Sequence, residues 1–188
     1  MSKYLIHFTS GASRSQAFDC FRTIVSECRL IGGDGMIRGG YQCVCFSEAP
    51  LWLRNGLVNK DFYSRYSPFG ILFERQWIFD QGGLPAIYQP DADYDSLPDQ
   101  QKWRHVRFEP PAVDFTWEQE WRVRCPELNF DPGVACLVLP SEDYVRALVA
   151  DHDSHQDAKW YPYREILTED ELMQYREDFP WRILYLGQ

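Results

Sequence analysis

Within residues 114–124, Glu118-Gln119-Glu120-Trp121-Arg122-Val123-Arg124 puts two carboxylates and two guanidiniums at alternating positions. Read as a strand, this spacing sets Glu118, Glu120, Arg122 and Arg124 on one face and Trp117, Gln119, Trp121 and Val123 on the other. Such a row has two physical meanings. It is a solvated edge on which each Glu is screened by an Arg, or the floor of a cleft, which the flanking aromatics favour. Carboxylates in a partly dry site stabilise developing positive charge or take protons, so Glu118 and Glu120 are the candidate chemical groups.

The surrounding chain must be large enough to hold that row. One α+β domain over residues 1–188 is expected, with hydrophobic residues at 45% and aromatics at 16%, enough for a packed core. The formal net charge of -9 repels phosphate backbones and argues against broad nucleic-acid coating. No stretch reaches the length of a membrane span and the N-terminus carries no export signal, so the expectation is a cytoplasmic protein with reduced thiols. Cys43 and Cys45 fit buried strand positions better than a zinc knuckle, and no metal site is expected from the cysteines.

In order, strands are expected at 4–9, 41–47, 69–73, 84–88, 118–124, 134–139 and 181–186. A long amphipathic helix runs from a cap at Ser13 or Ser15 to near Leu30, and a shorter one opens at the Thr168-x-x-Glu171 capping box and reaches about Arg176. A further short helix is expected at 76–79. Residues 51–68 read as a lid-like segment, 89–101 as an acidic surface loop, and 103–108 as either short helix or extended chain. Residues 144–150 suit helix or strand equally. Asp151-His152-Asp153-Ser154-His155 has metal-like types but no apolar flank, and is read as a solvated loop. Several strands follow one another without helices between them, so the sheet is mixed, mainly antiparallel, and could be split.

Three pieces in this order carry a resemblance: His7-Phe8-Thr9 ending the first strand, Cys45-Phe46-Ser47-Glu48 ending the second, and Glu118-Gln119-Glu120 on a later one. The arrangement resembles the ADP-ribosyltransferase superfamily, and the first two-thirds of the chain also resembles bacterial families associated with abortive phage infection. The resemblance implies NAD as substrate, with His7 on a ribose hydroxyl or phosphate, Thr9 assisting, and Ser47 pinning Glu120. It further implies Glu120 as the group offsetting oxocarbenium charge, Glu118 serving the acceptor, and Phe46, Tyr63 and Tyr66 stacking on nicotinamide. No Tyr aligns with the middle position of the His-Tyr-Glu subtype, and no segment identifies the macromolecular acceptor. The implied role is a toxin or phage-defence effector. Two other readings exist: a non-catalytic acidic partner, antitoxin-like or phage-sensing, using residues 118–124 as a charged interface, and a cysteine hydrolase using Cys45 or Cys43 with His7. The transferase reading expects His7, Ser47 and Glu120 on neighbouring strands lining one concave site; dispersal favours the interaction protein.

Overall fold

The computed structural model describes residues 2–48 and 67–185. Its centre is a sheet of seven strands, ordered β11-β10-β4-β1-β3-β8-β5. These are β1 (Tyr4–Phe8), β3 (Cys43–Glu48), β4 (Gly70–Glu74), β5 (Leu84–Pro85), β8 (Glu120–Arg124), β10 (Ala135–Leu139) and β11 (Arg182–Tyr185). All neighbours in it are antiparallel except β10 and β11. Two small ribbons flank it, β2 (Arg29–Ile31) with β9 (Glu127–Asn129), and β6 (Ile87–Gln89) with β7 (His105–Arg107) in parallel.

Alternation decides which side chains enter the core. Leu5, Val44, Phe46, Ile71, Phe73, Val123, Leu137 and Leu139 lie on one face, where they pack with Ala17, Phe21 and Val25 of α1 (Arg14–Glu27). Each fully buried Phe or Leu there contributes roughly 1.5–3 kcal/mol. Helix α1 starts where the Ser13 hydroxyl accepts the Gln16 N–H and stops at left-handed Cys28. The expected helix therefore ends before Leu30, which is drawn into β2 by pairing with Leu128. On the opposite face a smaller cluster of Ile37, Cys43 and Trp103 covers the start of β3.

The sheet opens at one point. The β1–β3 ladder holds only the pairs Leu5–Glu48 and Ile6–Ser47, whereas β1–β4 and β3–β8 each hold five. Beyond Ile6 the strands part, and the His7 ring spans the gap by donating from Nδ1 to the Cys45 carbonyl at 2.9 Å.

Several expectations change. The expected strand at 84–88 is broken at Ala86, so β5 joins the main sheet and β6 joins β7. Residues 76–79 lie within helix α2 (Arg75–Asp80). Residues 103–108 hold the end of a 3-10 turn followed by β7. Residues 144–155 are neither strand nor loop but part of α3 (Glu142–Trp160), at 19 residues longer than the 14-residue α1. Its acid- and His-rich run is exposed at Asp153, Ser154 and His155 and half-buried at Asp151 and His152, in a helix whose Leu148 reaches the core; composition alone, without that anchor, suggests a loop. The capping box at Thr168 opens α4 (Glu169–Tyr175) as expected. Among the described residues, no helix is long and apolar enough to cross a membrane.

Candidate functional site

The strands carrying His7, Ser47 and Glu120 are consecutive neighbours, β1, β3 and β8. Register then sorts their side chains. Ile6 pairs with Ser47 and Ser47 with Glu120, so these three share one face. His7 is the next residue along β1 and turns to the other face, where its ring meets Phe46 edge-on at 5.9 Å. Ser47 and Glu120 thus come together as expected, while His7 does not join them in one concave site.

The carboxylate row is shorter than its sequence suggests. Thr116–Glu118 forms a 3-10 turn, Gln119 is left-handed at φ 44°, and regular pairing begins at Glu120. Glu118 is therefore off the row expected for it, because a left-handed residue breaks the alternation. Glu120, Arg122 and Arg124 do share a face, with Cys43 and Cys45 beside them on β3. This face is not a solvated edge. Arg122 is only 3% exposed.

Arg122 holds both Glu120 oxygens, from Nε at 2.8 Å and Nη2 at 3.2 Å, and its Nη1 donates to the carbonyls of Trp103 and His105 at 2.9 Å each. Burial works against the guanidinium charge, and the Glu120 carboxylate more than offsets it, so the Arg122 pKa is raised. The backbone of Glu120 is held as well. Its N–H donates to the Tyr88 hydroxyl at 2.8 Å and its carbonyl accepts from Ala86 N–H at 2.8 Å. Burial, then the Glu120 and Glu118 charges, push the Tyr88 phenol up to about 12 against the opposing Glu120 N–H bond, so it stays protonated. Nothing in the local sequence singled out Tyr88; its only signal is an aromatic closing a strand just before the acidic loop.

The remaining expected residues separate. Burial lowers the His7 pKa, against the Cys45 carbonyl bond that raises it, which favours a neutral ring. With the proton on Nδ1, Nε2 is an acceptor, so His7 can take a bond from a ribose hydroxyl and not give one. Thr9 is 2% exposed, and its hydroxyl is engaged with Ser67 Oγ at 2.8 Å and the carbonyls of Ala17 and Phe69 at 3.3 Å. It ties the end of β1 to α1 and β4 and is not a ligand-binding group. Phe46 is 1% exposed, wedged between His7 and Phe73, so it cannot stack on nicotinamide. Side-chain alternation on β3 sends it into the core. Tyr63 and Tyr66, together with most of the expected lid, lie outside the described residues.

The thiols do not support a cysteine hydrolase. Burial pushes Cys43 up to about 11, and burial together with the Glu120 charge pushes Cys45 higher still. Among the described residues no group of three or more His, Cys, Asp and Glu is arranged to hold a metal ion. Asp151 and His152 instead border an open groove of about 730 Å³ between α1, α3 and residues 177–181. There Asp151 takes a two-pronged bond from Arg22, and His152 Nε2 meets the Glu177 carbonyl at 2.9 Å.

Fold and site define a mixed α+β sheet carrying a braced Ser47–Glu120 pair beside an opening in the sheet. Comparison of the chain with protein-family models, with curated proteins and with solved structures finds no match.

Proposed function

We propose that this chain is a cytoplasmic ADP-ribosyltransferase-like protein that consumes NAD, of the kind that serves as a toxin or phage-defence effector, with Glu120 as its working carboxylate. The observation that supports this reading is the placement of Ser47 directly opposite Glu120. The His7 ring, on the opposite face of the sheet against Phe46, departs from the transferase arrangement and favours the second reading, a non-catalytic acidic interaction protein using residues 118–124 as a charged interface.

The chemistry follows from charge. The bond between nicotinamide nitrogen and ribose C1′ breaks, nicotinamide leaves with the electron pair, and the sugar becomes oxocarbenium-like. A fixed carboxylate near the ribose lowers that barrier. Arg122 holds the Glu120 carboxylate in one rotamer through both oxygens, and the lone pairs it leaves unused can accept from a ribose hydroxyl. A nucleophile from a macromolecular acceptor, or water, then bonds to C1′ and gives its proton to Glu118, which the left-handed Gln119 sets apart from the Arg122 brace.

The test is release of free nicotinamide from NAD by the purified chain, paired with a thermal-shift titration of NAD. Turnover, or saturable stabilisation by NAD, supports the reading. If NAD neither binds nor is consumed, a non-catalytic interaction protein replaces it.

A further inference from the structure

Gln119 is one of two non-glycine residues with positive φ among those described, and it lies between the two candidate carboxylates. A left-handed glutamine costs on the order of 1 kcal/mol or more and persists only where its surroundings hold it. Four bonds do so. Gln119 N–H donates to the Thr116 carbonyl at 3.1 Å, and its own carbonyl accepts from Glu48 N–H at 3.3 Å. One residue on, Glu120 gives its N–H to the Tyr88 hydroxyl and takes Ala86 N–H on its carbonyl. Three of the four are made by backbone alone. Of these four bonds, the one to the Tyr88 hydroxyl is the one made by a side chain.

Tyr88 belongs to β6, whose partner β7 begins at His105, and the His105 carbonyl accepts from Arg122. The same ribbon therefore grips Glu120 twice, through its backbone by Tyr88 and through its carboxylate by way of Arg122. Neither grip is visible in the β8 segment itself.

We propose that Tyr88 is the positioning residue of Glu120: its phenol oxygen holds the left-handed Gln119 turn shut and so keeps the Glu120 carboxylate over Ser47 and against Arg122. Without the hydroxyl, Gln119 relaxes toward an ordinary conformation, its carbonyl leaves Glu48 N–H, and Glu120 shifts. The positioning stands on the geometry alone, whereas its consequence for turnover rests on the transferase reading.

The experiment compares Tyr88→Phe with the double variant Tyr88→Phe/Gln119→Gly. Amide hydrogen exchange at Glu120 and Glu48 is read against Val123 as an internal standard. Phenylalanine keeps the ring, so Val123 exchange stays unchanged, while exchange at both Glu120 and Glu48 rises about tenfold or more. Glycine at 119 has no left-handed penalty. In the double variant, Glu48 regains protection while Glu120, still lacking its acceptor, does not. A purely packing role for the ring would move neither amide in Tyr88→Phe, and unchanged Glu48 exchange overturns the proposal. Nicotinamide release is measured on the same proteins, with a roughly tenfold fall in kcat, KM for NAD held within about twofold, and recovery in the double variant. If the exchange pattern holds but the wild-type protein neither binds nor consumes NAD, the positioning stands and the transferase reading falls.

Discussion

Arg122 closes on Glu120 from two positions farther along the same strand, taking both carboxylate oxygens while its remaining nitrogen is bonded to two carbonyls of the 103–105 segment. The pair is covered, with side-chain exposures of 4% for Arg122 and 12% for Glu120. A covered ion pair adds little net stability as a unit, but removing one partner strands the other. Glu120→Gln is therefore expected to lower the unfolding free energy by about 3 kcal/mol, and Arg122→Met by a similar amount. The double variant should lose less than the sum, because no unpaired charge remains. Urea unfolding of the four proteins measures this, and additive losses would mean that the bonds do not form in solution.

Chemistry and stability are separable in the same variant. Assayed well below its melting temperature, folded Glu120→Gln should retain NAD binding while nicotinamide release falls on the order of 10² to 10³. Retained turnover in a folded Glu120→Gln protein removes Glu120 from the mechanism.

Glu118→Gln distinguishes transfer from hydrolysis. Glu118 stands outside the Arg122 brace, and its proposed task is to take the acceptor's proton. Its amide variant should lose modification of the acceptor while keeping part of the water reaction, read as nicotinamide released against ADP-ribose incorporated. Equal loss of both places Glu118 at the bond-breaking step instead.

His7 makes stability depend on pH. Its folded-state pKa is lowered from 6.5 by burial, so the unfolded chain takes up the proton first as pH falls. The stabilising contribution is complete above about 6.5 and declines as pH drops from there through the lower folded value. His7→Phe should flatten this part of the profile. Denaturant unfolding at several pH values between about 7.5 and 5 checks the sign, and a wild-type protein that gains stability over that fall would reverse it.

The thiols should divide by exposure. Cys20 is exposed, whereas Cys43 is buried and its pKa is pushed up to about 11. Iodoacetamide at neutral pH should alkylate Cys20 in the native protein and leave Cys43 and Cys45 untouched, as read by peptide mass mapping. Rapid alkylation of Cys45 would restore the cysteine-nucleophile alternative.

Local pattern alone determined much of this protein. The turn-bounded segment 41–47 and the continuous apolar run 134–139 read as strands that the structure contains as Cys43–Glu48 and Ala135–Leu139, and the Thr168–Glu171 capping box located a helix start to the residue. These features depend on neighbours a few positions apart, so they are legible without the fold. Alternation also correctly placed Glu120, Arg122 and Arg124 on one face of their strand. It could not supply the left-handed Gln119 that removes Glu118, since that conformation is held by contacts from Glu48 and Tyr88, distant in sequence.

Register is the other thing only tertiary structure decided. A two-residue period says that His7 and Ile6 face opposite ways, but not which of them matches Ser47, which lies about 40 residues along the chain. Pairing Ile6 with Ser47 sent His7 and Phe46 to the core face and left Ser47 with Glu120, dividing a set of residues that sequence order had grouped together. The same long-range packing converted Arg122 from one member of a charged row into a buried brace. Its partners, Trp103 and His105, come from a ribbon whose position no local pattern in β8 encodes.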